Sequence, residues 1–118
     1  MRRTTEARYA DAIPATWLAE RMAVDPARID AQRRAGHLIA VREPGSTEWR
    51  YPAWQFDQGR PLPAVARVVA AARESGIDET RLYELLTAPL GLIDGGRRLV
   101  DLLHEGRDDD VVAAVRAA

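Results

Sequence analysis

The stretch WLAERMAVDPARIDAQRRAGHL, residues 17–38, decides how this chain is read. At its centre stands Asp25-Pro26. The aspartate can accept free N–H groups of a first helical turn, and the proline has the fixed φ that suits the turn's first position. A helix is expected from Pro26 to about Ala35, stopping at Gly36, which adopts a left-handed cap without strain. Ahead of it, Trp17–Met22 reads as a shorter helix capped by Thr16 behind Pro14, with Leu18 and Met22 four residues apart on one face. Two short helices and a three-residue turn make a helix-turn-helix. Trp17, Leu18, Met22, Val24 and Ile29 are its expected packing residues.

The flanking sequence adds a wing. His37–Arg42 is short and partly β-branched, Pro44-Gly45-Ser46 is a turn, and Glu48–Tyr51 is the returning strand, closed by Pro52. Packing inward leaves Ala27, Arg28, Ala31 and Arg34 on the outer face of the second helix. Arg28 stands near the helix start, where a side chain reaches base edges, and small Ala27 and Ala31 permit close approach to the groove floor. Arg33 is assigned to a phosphate, and Arg42 and Arg50, flanking the wing tip, to the neighbouring phosphates or the minor groove. The bland alternative is a structural helical hairpin with a solvated arginine face. Trp49, Tyr51, Trp54 and Phe56 could stack single-stranded bases, but such clusters are more often core, and core is expected here.

Beyond Gln58–Pro63 the apolar period becomes helical throughout. Val65, Val68, Val69 and Ala72 form one stripe; Leu82, Leu85 and Leu86, behind an Asp78 cap, form a second. Leu99, Leu102 and Leu103 form a third, and Val111, Val112 and Val115, behind an Asp108 cap, a fourth. Four one-sided helices must pack together or on a partner. The expected class is therefore mostly α with a small β-hairpin: a winged helix-turn-helix over residues 1–60 and a four-helix module over 61–118.

Composition narrows the function. There is no cysteine, which excludes disulfides and cysteine-ligated metals, and only two histidines, His37 and His104. No Ser/His/Asp arrangement, phosphate loop or dinucleotide fingerprint is present, so no enzyme, catalytic residue, metal or cofactor is expected. Asp108-Asp109-Asp110 suits the dipole of a helix start better than a metal. No apolar run approaches a membrane span, and Met1–Glu6 lacks the apolar stretch of a secretory leader, so a cytoplasmic protein is expected. All 17 basic residues are arginine. Residues 1–60 carry ten Arg against eight Asp/Glu, and residues 61–118 seven against ten, which suits two different partners.

Two resemblances sharpen these expectations. Val24-Asp25-Pro26-Ala27-Arg28-Ile29, with Arg34-Ala35-Gly36-His37-Leu38, resembles the MerR- and excisionase-type helix-turn-helix, whose "VSxxxV…GxL" frame precedes a wing. Gln32 departs from that frame, standing where an apolar residue is usual. Asp94-Gly95-Gly96-Arg97-Arg98, helix Leu99–His104, Gly106 and Asp110–Val115 are similar to the "LGGrtPlelLrsG…V" segment of Xre/MbcA/ParS-type antitoxins, with Leu99 where proline is usual. The stretch RYPAWQF followed by Pro61-Leu62-Pro63 also resembles antitoxin-like proteins of this build. The resemblance implies a DNA-binding antitoxin of a type II toxin–antitoxin system that represses its own operon as a homodimer on double-stranded DNA. Its toxin partner is implied to be a RES-domain, NAD-consuming protein met by Gly95, Gly96, Arg97, Arg98 and Arg107. Alternatives are a stand-alone transcriptional regulator whose helical half only dimerises, or an excisionase-like DNA-bending protein.

Overall fold

A computed structural model describes residue 9 and residues 11–90 and 97–118. The chain forms two compact units, Met1–Leu62 and Pro63–Ala118. The fold is mostly helical, with small antiparallel sheets in the first unit.

In the first unit, strand β1 (Ala12–Pro14) runs directly into helix α1 (Ala15–Met22). The extended residue Pro14 is the N-cap and no side chain caps the helix, so Thr16 lies within the first turn and does not cap it. Leu18 and Ala19 are buried. Trp17, expected in the core, is 62% exposed. It shares the outer face with Glu20 and Arg21, three and four residues on, both exposed, because the buried side is centred between Leu18 and Ala19 and residue 17 lies roughly opposite it.

The turn between the helices is tight. Ala23 adopts φ 58° and ψ 42°, and its neighbour's N–H closes the helix end by bonding from Val24 to the Ala19 carbonyl at 3.0 Å. Helix α2 (Pro26–Arg34) begins as its sequence predicts, with the Asp25 carboxylate accepting from the Ala27 N–H at 2.8 Å. It ends on Gly36 at φ 86°, where N–H groups of Gly36 and His37 donate back to Arg33 and Gln32 at 3.1 and 2.9 Å. That paired 5→2 and 6→1 pattern is the Schellman stop that only glycine enters cheaply.

The wing differs from the expected hairpin. Of His37–Arg42 only Val41 is bridged, to Arg50, by two backbone hydrogen bonds of 2.8 and 2.7 Å. The main partner of strand β2 (Arg50–Pro52) is β1, with Ile13 opposite Tyr51. Residues Leu38–Val41 are buried, and the backbone of Ile39 is satisfied by a side chain. Gln55, fully buried in the 3₁₀ turn Ala53–Gln55, accepts from the Ile39 N–H at 2.7 Å and donates to the Ile39 and Pro52 carbonyls at 2.7 and 3.1 Å. A second, unexpected hairpin follows: β3 (Phe56–Asp57) pairs with β4 (Arg60–Pro61) across Gln58-Gly59, both at positive φ. Two consecutive left-handed residues are what a type I′ turn requires. Leu18, Ala19, Ile29, Leu38, Ala40 and Tyr51 form the core, with Trp49 and Phe56 packed at its edge. The aromatic cluster is thus chiefly structural, and the Trp54 indole N–H donates to Asp11 at 2.8 Å.

The second unit has the four expected helices: α3 (Val65–Glu74), α4 (Glu79–Thr87), α5 (Leu99–His104) and α6 (Asp108–Ala117). Helix α3 packs on α6, α6 on α5, and α5 on α4. The stripes are buried as read, save that Leu85 is only half-buried and Tyr83 and Val100 join the core. Asp78 caps α4 by accepting from the Arg81 N–H. Asp108 does not cap α6. It is the first helical residue, Arg107 being the N-cap, and no side chain caps the turn.

Candidate nucleic-acid interface

The outward face of α2 is built by two fixed ends. Asp25 holds the first turn and Gly36 stops the last, so the helix presents a set rotation, with Ile29 completely buried beneath it. Ala27, Arg28, Ala31 and Arg34 are all exposed, as their spacing predicts. Arg28 has no carboxylate partner among the described residues, whereas Arg34 is held by Asp30 through its Nε at 2.8 Å and its terminal nitrogen.

Arg33 is placed differently from its assignment to a phosphate. Its side chain is only 17% exposed, it pairs with Asp30, and its guanidinium lies 4.3 Å from the centre of the Trp49 ring. Asp30 therefore serves two arginines, and those contacts, Arg34 first, hold its carboxyl below the usual range. Tyr51 is buried beside this group, and that burial pushes its phenol upward. Gln32 is half-buried, with its Oε1 shut from solvent and unbonded among the described residues. The polar departure from the apolar frame thus leaves one acceptor unsatisfied on the inner side of the helix.

In the wing, Arg42 is exposed and its guanidinium lies 4.5 Å from the centre of the Trp49 ring. Arg50 is half-buried in β2, with Glu48 at 3.8 Å. The loop tip Pro44–Glu48 is exposed. Sequence reasoning expected Trp49 in the core and missed that two cations meet on it, Arg33 from α2 and Arg42 from the wing; of these only Arg42 lies near it in sequence. A separate groove of about 390 Å³ lies between α1 and the second hairpin, with Arg21 its one charged lining residue, and it includes no residue of α2.

In the second unit, Arg97, Arg98 and Arg107 each meet a carboxylate: Glu105, Asp101 at 3.6 Å and Asp110 at 2.8 Å respectively. Gly95 and Gly96 lie outside the described residues. The Asp101 carboxylate also accepts from the Arg98 backbone N–H at 2.8 Å, which lowers its pKa and fastens the start of α5. The three aspartates of α6 diverge: Asp108 and Asp109 face Arg67, and Asp110 faces Arg107. Among the described residues no group of three or more His, Asp or Glu gathers to hold a metal, and no helix is long and apolar enough to cross a membrane.

No family model and no curated protein matches this sequence. Among solved structures the chain is similar to the NMR structure of Rv2175c, with 26% identity and a TM-score of 0.76, over 90% of this chain and 79% of that one.

Proposed function

We propose that the protein is a DNA-binding regulator that inserts α2 into a major groove of double-stranded DNA. The observation that carries this is the Ala27/Arg28/Ala31/Arg34 face: two alanines flanking an arginine with no carboxylate partner among the described residues, on the exposed side of a helix capped at both ends. An α-helix with its side chains is roughly 10–12 Å across and the groove about 12 Å wide, so alanines are what a closely seated helix needs. Arg28, the third residue of α2, stands where recognition helices read base edges, and its fork matches the two acceptors of guanine. The wing supplies Arg42 and Arg50 to neighbouring phosphates. With so small a face per chain, affinity is drawn from a homodimer on a two-fold operator.

Within that reading, residues 61–118 neutralise a cognate toxin of the RES type, and the protein represses its own operon. This assignment is supported by the sequence resemblance of residues 94–106 and 110–115 to antitoxin domains. The alternative, a stand-alone regulator whose second unit only dimerises, differs in having no neighbouring gene whose product the protein silences.

The test has two arms. A duplex is selected from a random pool, and Arg28→Ala is expected to weaken its binding by roughly 1–3 kcal/mol while relaxing one base position. Failure of the pool to enrich, or unchanged binding by Arg28→Ala, sinks the groove assignment. In the second arm the protein is co-expressed with the product of the adjacent gene, and charge reversal at Arg97, Arg98 and Arg107 is expected to restore that product's toxicity without lowering the melting temperature. A neighbour that is harmless alone leaves the regulator without the toxin role.

A further inference from the structure

Trp49 packs at the edge of the first unit's core, yet it does something no packing residue needs to do. Two guanidiniums lie over its ring, Arg33 at 4.3 Å and Arg42 at 4.5 Å from the centre, both within the range in which a cation is attracted by an aromatic face. The two cations are not equivalent. Arg33 belongs to α2, is largely buried and is neutralised by Asp30. Arg42 belongs to the wing, is exposed, and has no carboxylate partner among the described residues. One of the stacked charges is thus already satisfied, and the other is held out to solvent.

We propose that Trp49 is a positioning residue for duplex contact: its ring orders the Arg42 guanidinium for a backbone phosphate and ties the wing to α2 through Arg33. This rests on the DNA-binding reading of the first unit. An unrestrained arginine loses most of its rotamer freedom when it grips a phosphate, and that loss opposes binding. Holding the guanidinium over the ring takes part of that loss in the free protein, while the side chain and its N–H donors stay exposed to solvent. The tie continues inward, because Asp30 joins Arg33 to Arg34 on the outer face of α2. The wing phosphate contact and the groove-facing helix are thereby held in one register by Arg42, Trp49, Arg33, Asp30 and Arg34. Trp49 itself need not touch DNA.

The experiment uses the full chain and a fluorescein-labelled duplex of mixed sequence, followed by anisotropy across a salt series. Arg42→Gln is expected to reduce the salt slope by about one, the signature of one lost phosphate contact. Trp49→Leu removes no charge; it is expected to weaken binding roughly 3–10-fold at fixed salt, the loss of a modest cation–π restraint, with Trp49→Phe recovering most of it. The double variant Arg42→Gln/Trp49→Leu is expected to bind no worse than Arg42→Gln alone, since the stacking and the tie through Arg33 both serve to place that one arginine. Additive losses, or unchanged binding by Trp49→Leu where Arg42→Gln is impaired, overturn the inference while leaving the DNA-binding reading intact. Wild-type protein that fails to bind the duplex overturns both. The free wild-type protein gives an independent reading that requires no variant. The Arg42 side-chain protons should be shifted upfield by the indole ring current, and random-coil shifts there overturn the inference whether or not DNA is bound.

Discussion

Gln55→Leu is expected to remove at least about a third of the first unit's stability, although it changes neither charge nor, to any great extent, volume. The Gln55 amide is fully buried and makes three hydrogen bonds, two to the backbone of Ile39 and one to the Pro52 carbonyl. Leucine leaves an N–H and two carbonyls in the interior, where Ile39 and Pro52 are themselves almost wholly buried. An orphaned group costs about 1–3 kcal/mol, the N–H toward the upper end and the carbonyls toward the lower, so the three cost about 5 kcal/mol. Burying leucine returns about 2 kcal/mol, leaving a net loss of about 3 kcal/mol. A unit of this size commands only about 3–9 kcal/mol in total. The assay is urea unfolding followed by tryptophan fluorescence, which sees this unit alone because all three tryptophans, Trp17, Trp49 and Trp54, precede residue 63. With a slope near 1 kcal/mol per molar for so small a unit, the midpoint should fall by about 3 M. A midpoint within about 0.5 M of wild type would refute the claim that this amide stands in for a missing strand partner.

Ala23→Gly should act in the opposite direction. Alanine at φ 58° carries about 1–2 kcal/mol of left-handed strain, and glycine's extra freedom in the unfolded chain cancels only part of it, so the melting temperature should rise by about 3–6 °C; no rise refutes the strain. The Asp30 pair sets an acid dependence. Its carboxyl is lowered in the folded protein, so its contribution is present above the unfolded value near 4 and is lost as pH falls through the lower folded value. Asp30→Asn should therefore flatten the acid limb of the first unit's melting temperature, and an identical limb in the two proteins would remove Asp30 from the account.

Much of this architecture is legible in sequence because its ends are written in residues with few uses. Asp25-Pro26 and Gly36 determine α2 to within a residue, and every apolar stripe of the second unit lies inside a helix. What escaped detection is non-local. The β1–β2 pairing joins Ala12–Pro14 to Arg50–Pro52 across the whole helix-turn-helix, and a three-residue strand ending in proline shows no alternation to find. Gln55 reads as an ordinary polar residue, yet it does the work of a strand. Trp17 misled because size argues for burial while helical phase argues against it, and phase prevailed. Gln58-Gly59 makes a hairpin turn with glutamine in the left-handed position that asparagine usually takes, so the weaker signal passed as a linker.

The distribution of carboxylates does more than that of arginines to place the interface. The two halves differ little in arginine content, ten against seven. In the second unit, however, Arg67, Arg97, Arg98, Arg107 and Arg116 each face an Asp or Glu of the same unit. Such exposed pairs contribute at most about 1 kcal/mol each, so they do not lock the arginines away. They matter because the carboxylates come with them: a phosphate approaching Arg107 or Arg67 also approaches Asp108, Asp109 and Asp110. A protein surface with its own carboxylates and amides can exchange such pairs one for one, whereas a duplex, with only phosphates to offer, cannot. In the first unit Asp30 pairs with Arg33 and Arg34, and Arg28 and Arg42 face no carboxylate among the described residues. The same residue type is thus sorted to two chemistries by what stands beside it. Arg28 and Arg42 fit the proposed contacts with DNA, and the paired set fits the proposed protein partner, which carries both signs of charge.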